Sequence, residues 1–200
     1  MLRFFRRAMR RREIYLHEDD YCQQQLLPLG AKAYADLELK RIDDFSAAHR
    51  APEGLGWTDA YMRGDAPLEL RTLGMSRRQV GDAVSPFLPP FDHVYTGYSS
   101  HRKRCSQTAA WGRSPTCALL VDWDEADVIT HCWTMFFDHD EASINAATQA
   151  VAALSAVHAL VYVDWAWDYT CEASRADAFS ELLRAKLKTI ARTIEPTKKD

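Results

Sequence analysis

Two stretches of this chain are apolar at every position, Ala118-Leu119-Leu120-Val121 and Leu160-Val161-Tyr162-Val163. A strand with one wet face alternates apolar and polar residues, so a run without alternation reads as a central strand covered on both faces. Val128 to Phe137, rich in β-branched and aromatic residues, reads as a second strand beside the first run. The acidic link Asp124 to Asp127 between them predicts a hairpin. Both apolar runs end in Val-Asp-Trp, at Asp122-Trp123 and Asp164-Trp165, a match too short to establish a duplication.

Other strands are expected at Glu13 to His17 and Tyr21 to Leu27, joined as a hairpin by the turn Glu18-Asp19-Asp20, at Trp57 to Met62, and at Asp92 to Tyr98. Four helices separate them. Ala35, Leu39, Ile42 and Phe45 fall on one face of a helix from about Ala31 to Ala48, and Ser76-Arg77-Arg78-Gln79 has the capping-box form that opens a second, ending near Pro86. Asp138 or Asp140 can cap a third, whose stripe is Ile144, Ala147, Val151, Leu154 and Val157. A fourth opens at Ser174 to Asp177 and carries Phe179, Leu182, Leu183, Leu187 and Ile190, with Lys186 and Lys188 placed to favour its negative end. The polar, basic stretch from Ser99 to Arg113 reads as a mobile loop. The resulting order predicts an α+β fold, a mixed but mostly antiparallel sheet with helices packed on it, in one domain.

The 200 residues suit that size, since a chain of this length buries close to ~70% of its unfolded surface. The expected organisation is a flexible basic arm over 1–12, a single domain over 13–195 and a tail over 196–200. The net charge of −3 hides an asymmetry. Setting aside the six arginines of the first twelve residues leaves 19 basic residues against 28 acidic ones, a charge of −9 on the rest of the chain. An acidic body repels nucleic acid and favours encounter with a basic partner. Translation starting at Met9 instead of Met1 would remove three of the six arginines of that arm. No stretch approaches the ~20 apolar residues of a membrane span, and the basic opening lacks the apolar core of a secretory signal. The five cysteines, Cys22, Cys105, Cys117, Cys132 and Cys171, form no C-x-x-C pair and are odd in number, which argues against a disulfide framework and a zinc ribbon. The cytoplasm is the expected compartment, with neither membrane nor nucleic acid as partner.

Catalytic signatures are lacking. Gly97-Tyr98-Ser99-Ser100 lacks the closing glycine of a nucleophile elbow, and no phosphate-cradling glycine motif or zinc motif occurs. Two clusters combine carboxylates with an imidazole, His17-Glu18-Asp19-Asp20 and Asp138-His139-Asp140-Glu141, but adjacent turn residues point apart and rarely converge on one ion, so no metal or cofactor is expected. The enzymatic alternative is a small metal-dependent hydrolase or phosphotransferase using Asp122 and Asp164, each at the end of a buried strand. Asp122-Trp123-Asp124 is similar to the D-x-D of haloacid dehalogenase-type phosphotransfer enzymes, departing from it by its mid-chain position and by Glu125-Ala126 where a threonine follows in that family. A third possibility is nucleic-acid contact through the arginine arm with Arg102, Lys103 and Arg104.

The blocks Arg12 to Tyr21, Gln23 to Pro28, Gly54 to Asp59 and Tyr95 to Ser100 resemble bacterial immunity proteins, the partners of polymorphic or type VI secreted toxins. The resemblance covers scattered parts of the first half of the chain. It implies a non-enzymatic protein of the cytoplasm or periplasm, the lack of a signal peptide selecting the cytoplasm, that binds one cognate toxin and occludes its active surface, with no catalytic residues; the acidic body favours a toxin with a basic surface. The contact candidates under that reading are the acidic Glu18, Asp19, Asp20 and Asp59 and the aromatic Trp57, Tyr61 and Tyr98, because Trp and Tyr beside polar groups anchor interfaces.

Overall fold

The structure, a computed structural model, describes residues 11–17, 21–54, 56–97, 101–138 and 140–194, with the side chains of 187 and 190–194 excepted. It is α+β. A six-stranded antiparallel sheet forms the middle layer, built from β2 (Gln24–Pro28), β5 (Thr108–Ser114), β6 (Cys117–Trp123), β7 (Ile129–Phe136), β8 (Leu160–Asp164) and β9 (Tyr169–Glu172) in the order β5-β6-β7-β2-β8-β9. Alternate residues of these strands serve different cores, as the unbroken apolar runs require. Leu119, Val121, Cys132, Leu160 and Tyr162 face one side, where they pack with Val80 and Val84 of α2 (Arg77–Val84), Ile144 and Leu154 of α3 (Glu141–Val157), and Phe179 and Leu183 of α4 (Ala176–Ile194).

On the other face, Val161, Val163 and Trp165 meet α1 (Lys32–Ala48) through Ala35 and Leu39. Ala118, Leu120, Trp133 and Met135 of the same face are covered by a smaller sheet, β1 (Glu13–Tyr15), β3 (His93–Thr96) and β4 (Lys103–Arg104), through Ile14 and Val94. β6 and β7 form the expected hairpin, and Ser76 and Gln79 form the expected reciprocal cap of α2. Asp140, not Asp138, caps α3 by accepting from the Ser143 amide at 2.9 Å. Val157, the last of the expected α3 stripe, is exposed.

Four expectations are corrected. β1 and β2 are not a hairpin: β1 runs parallel to β3, with Ile14 opposite Val94, while β2 lies between β7 and β8. Trp57 to Met62 is not a strand, because its only ladder contact among the described residues is the bridge between Trp57 and Arg50. Within Ser99 to Arg113, the described part is largely strand, and Trp111 of β5 is buried. Lys186 does not serve a helix end: α4 continues to Ile194, and the ammonium is buried against Asp164 at 2.6 Å.

The β5 edge is closed by the Pro89-Pro90-Phe91 segment. The Phe91 amide donates to the Ala110 carbonyl, and the Gly112 amide donates to that of Pro89, both at 2.9 Å. Arg12, the last residue of the expected arm, clamps this seam: its guanidinium donates to the carbonyls of Pro89, Pro90 and Gly112 and lies 4.5 Å from the Phe91 ring centre. At Gly112 the register shifts, and a Cβ would come within 2.8 Å of Ala118, so the close approach requires glycine.

Candidate functional site

β2 and β7 are bridged at one residue pair, Gln25 with Trp133, and beyond it a 3-10 turn, Leu70–Leu73, packs against both strands. A cavity of about 670 Å³ opens there, lined by Gln25 and Leu27 of β2, Thr130 to Cys132 of β7, Tyr34 of α1, the segment Tyr61 to Ala66, and Trp165 just after β8. That segment crosses without regular structure and is pinned by side chains. Tyr34 donates its hydroxyl to the Gly64 carbonyl at 2.5 Å, and Tyr61 donates to Glu38 Oε1 at 2.9 Å.

Glu38 is the unusual residue of α1, a carboxylate facing inward and buried. It is tolerated because every approach to it is a donor: Tyr61, the Gly64 amide at 3.3 Å and Arg41 at 3.1 Å. Burial alone would raise its pKa, but those donors outweigh burial and hold the carboxyl below its ordinary value. Arg63 lies 4.4 Å over the Trp165 ring, with Gln25 Oε1 at 3.5 Å and the Cys22 carbonyl at 3.4 Å as acceptors. Desolvation lowers its pKa.

The residues singled out from sequence fall in several places. Trp57 and Asp59 sit on a turn in which Gly54 and Gly56 take positive φ, the Ala51 amide donates to the Gly56 carbonyl at 3.1 Å, and the Thr58 amide donates to the His49 carbonyl at 2.8 Å. Trp57 is 60% exposed on it, and Met62, a few residues on, is 86% exposed. Tyr61 is turned inward, against Phe45 and Glu38. Glu18, Asp19, Asp20 and Tyr98 lie outside the described residues.

The structure does not bring Asp122 and Asp164 together. They project from opposite faces of the sheet, and β6 and β8 are separated by β7 and β2, about 14 Å at the usual strand spacing. Asp122 accepts from Thr108 at 2.5 Å and from Tyr21 at 3.0 Å, while Asp164 is held by Lys186 and by the Trp167 amide at 3.2 Å. Asp124, the second carboxylate of the D-x-D, closes the β6–β7 turn by accepting from the Ala126 and Val128 amides.

The Asp138 cluster is likewise dispersed: Asp138 accepts from Ser114, Asp140 caps α3, and Glu141 pairs with Arg184 at 2.8 Å. Arg102 pairs with Glu13 at 2.6 Å and stacks on Tyr95. Among the described residues no three His, Cys, Asp or Glu side chains are grouped to hold a metal ion, and no helix is long and apolar enough to cross a membrane.

Sequence reading missed Arg63, Glu38 and Gln25. The available signal was Glu38 on the apolar stripe of α1, one residue before Leu39, a position where a carboxylate needs partners supplied from elsewhere in the chain. No family model, no curated protein and no solved structure matches this chain.

Proposed function

We propose that this chain is a non-enzymatic binding protein that neutralises a cognate bacterial toxin by covering its active surface. The observation that carries the reading is the turn around Trp57: backbone hydrogen bonds and two positive-φ glycines hold an indole 60% in solvent, next to Asp59. A large ring held in water by such bonds gains hydrophobic free energy when a partner covers it, and such rings dominate interface energetics. Met62, five residues on, is a second exposed apolar side chain, one that adapts its shape.

The negative charge outside the first twelve residues favours a toxin with a basic surface and steers its approach. Inhibition of this kind is stoichiometric and needs no bond-making groups. The cytoplasm suits it, since all five cysteines are free thiols.

Coexpression with the product of the adjacent gene tests the proposal. The expected result is that the neighbour is toxic alone, that this chain restores growth, and that the two copurify. Trp57→Ala then speeds dissociation by ~10-fold or more, and Asp59→Lys slows association and flattens its salt dependence. A neighbour that is harmless alone, or one that fails to copurify, removes the basis of the reading.

A further inference from the structure

The cavity between β2, β7 and α1 holds a cation, Arg63, that no carboxylate of the described residues pairs with. Arg71, which also lines it, is paired with Asp124 at 2.7 Å. Glu38, which acts on Arg63 through space, has its oxygens engaged by Tyr61, Gly64 and Arg41. Among the described residues no carboxylate lies within ion-pair distance of Arg63. Its two acceptors are neutral and distant, at 3.5 and 3.4 Å, and one of them, Gln25 Oε1, is already held at 2.8 Å by Trp165 Nε1. A half-buried guanidinium with this little compensation interacts strongly with any anion that reaches it, because water competes less there than at the surface.

The rest of the cavity states what kind of anion. The guanidinium lies over the Trp165 ring, which restrains it, and its fork suits the two-point geometry of a carboxylate or phosphate. Leu27, Leu70, Met62 and the ring of Tyr34 supply an apolar lining, and about 670 Å³ lies within the range of small-molecule sites. Asp65 and Glu69, both exposed, also border the space and repel a ligand that carries a second anionic group away from Arg63.

We propose that this cavity binds a small organic anion with one charged end, a carboxylate or a phosphate monoester, and an apolar body, with Arg63 as its anchor. The proposal does not depend on toxin neutralisation, and its test uses the purified chain alone.

Isothermal titration with 4-phenylbutyrate, phenyl phosphate and the uncharged 4-phenylbutanamide reads it. The expected result is that at least one anion binds ~10-fold or more tightly than the amide, the two anions telling carboxylate from phosphate. Arg63→Gln brings that anion to within about two-fold of the amide, and Arg63→Lys, which keeps charge but loses the fork, falls between. Thermal melting of both variants establishes that they are folded, and the anion-to-amide comparison on the unaltered chain stands even where a variant is not. Equal binding of anion and amide, undiminished binding by folded Arg63→Gln, or no saturation by either anion at millimolar concentration overturns the proposal.

Discussion

Lys186 and Arg63 are two cations set against opposite faces of one sheet, and the protein treats them differently. Lys186 is wholly buried, with Asp164 Oδ2 at 2.6 Å and the Phe137 and Trp167 rings beside it. Burial pulls its pKa down, and the Asp164 carboxylate opposes that pull. Beside it on the sheet, Gln24 Oε1 accepts from Thr134, Tyr162 and the Phe136 amide, so that polar centre is closed on itself. Arg63 rests on an indole, meets only neutral acceptors among the described residues, and borders open space. A cation matched by a carboxylate in a closed setting fixes the position of an element, here α4 on the sheet. A cation left with neutral partners at a cavity retains capacity for something from outside.

The contrast can be broken most severely at the closed site. Asp164→Ala strands Lys186 without a counter-charge and is expected to cost about 3–5 kcal/mol in denaturant unfolding, whereas Asp164→Asn combined with Lys186→Met recovers most of that loss. A small loss in the single variant would make the pair dispensable. Next is Glu38→Gln, expected to destabilise by about 2 kcal/mol at neutral pH, because a hydrogen-bonded charge is replaced by a neutral amide.

The sign of its pH dependence follows from the lowered carboxyl pKa. The stabilisation by Glu38 is complete above its ordinary value of 4.5 and is lost as pH falls through the folded-state value, so the gap between variant and parent narrows in acid. A gap that widens in acid would contradict this assignment. Arg63→Met sharpens the comparison from the open side: it forfeits a stacking contact worth about 0.5–1 kcal/mol, several-fold less than Lys186→Met, by the same unfolding measurement. The smallest effect is expected for Trp57→Ala, which shifts the unfolding free energy by no more than about 0.5 kcal/mol, because the ring is mostly in water already.

Most of the main sheet was legible because its signals are local. The runs at Ala118 and Leu160 declare two-sided burial by composition, and the Ser76 and Asp140 caps are read within four residues. What failed depends on partners distant in sequence. Ile14 pairs with Val94 across 80 residues of chain, and nothing in Glu13 to His17 distinguishes that pairing from a hairpin with the nearby β2. The periodicity around Lys186 locates it on a helix but not opposite Asp164.

The candidate site was less legible still. Trp57 and Asp59 stood out because glycines flank a ring and a charge, a signal carried by adjacent residues. The cavity is assembled from five separated segments, and Arg63 acquires its meaning only from Trp165, Gln25 and the engagement of Glu38 elsewhere.

The seam at β5 bears on how copies of this molecule behave when crowded. A foreign strand approaching that margin meets Pro89 and Pro90, neither of which has an amide hydrogen to offer, and carbonyls already claimed by Arg12. Side-by-side fibre growth is therefore blocked at this margin, and loss of the Arg12 guanidinium would release the Pro90 carbonyl, an acceptor that such growth requires, while the Pro89 carbonyl stays held by the Gly112 amide.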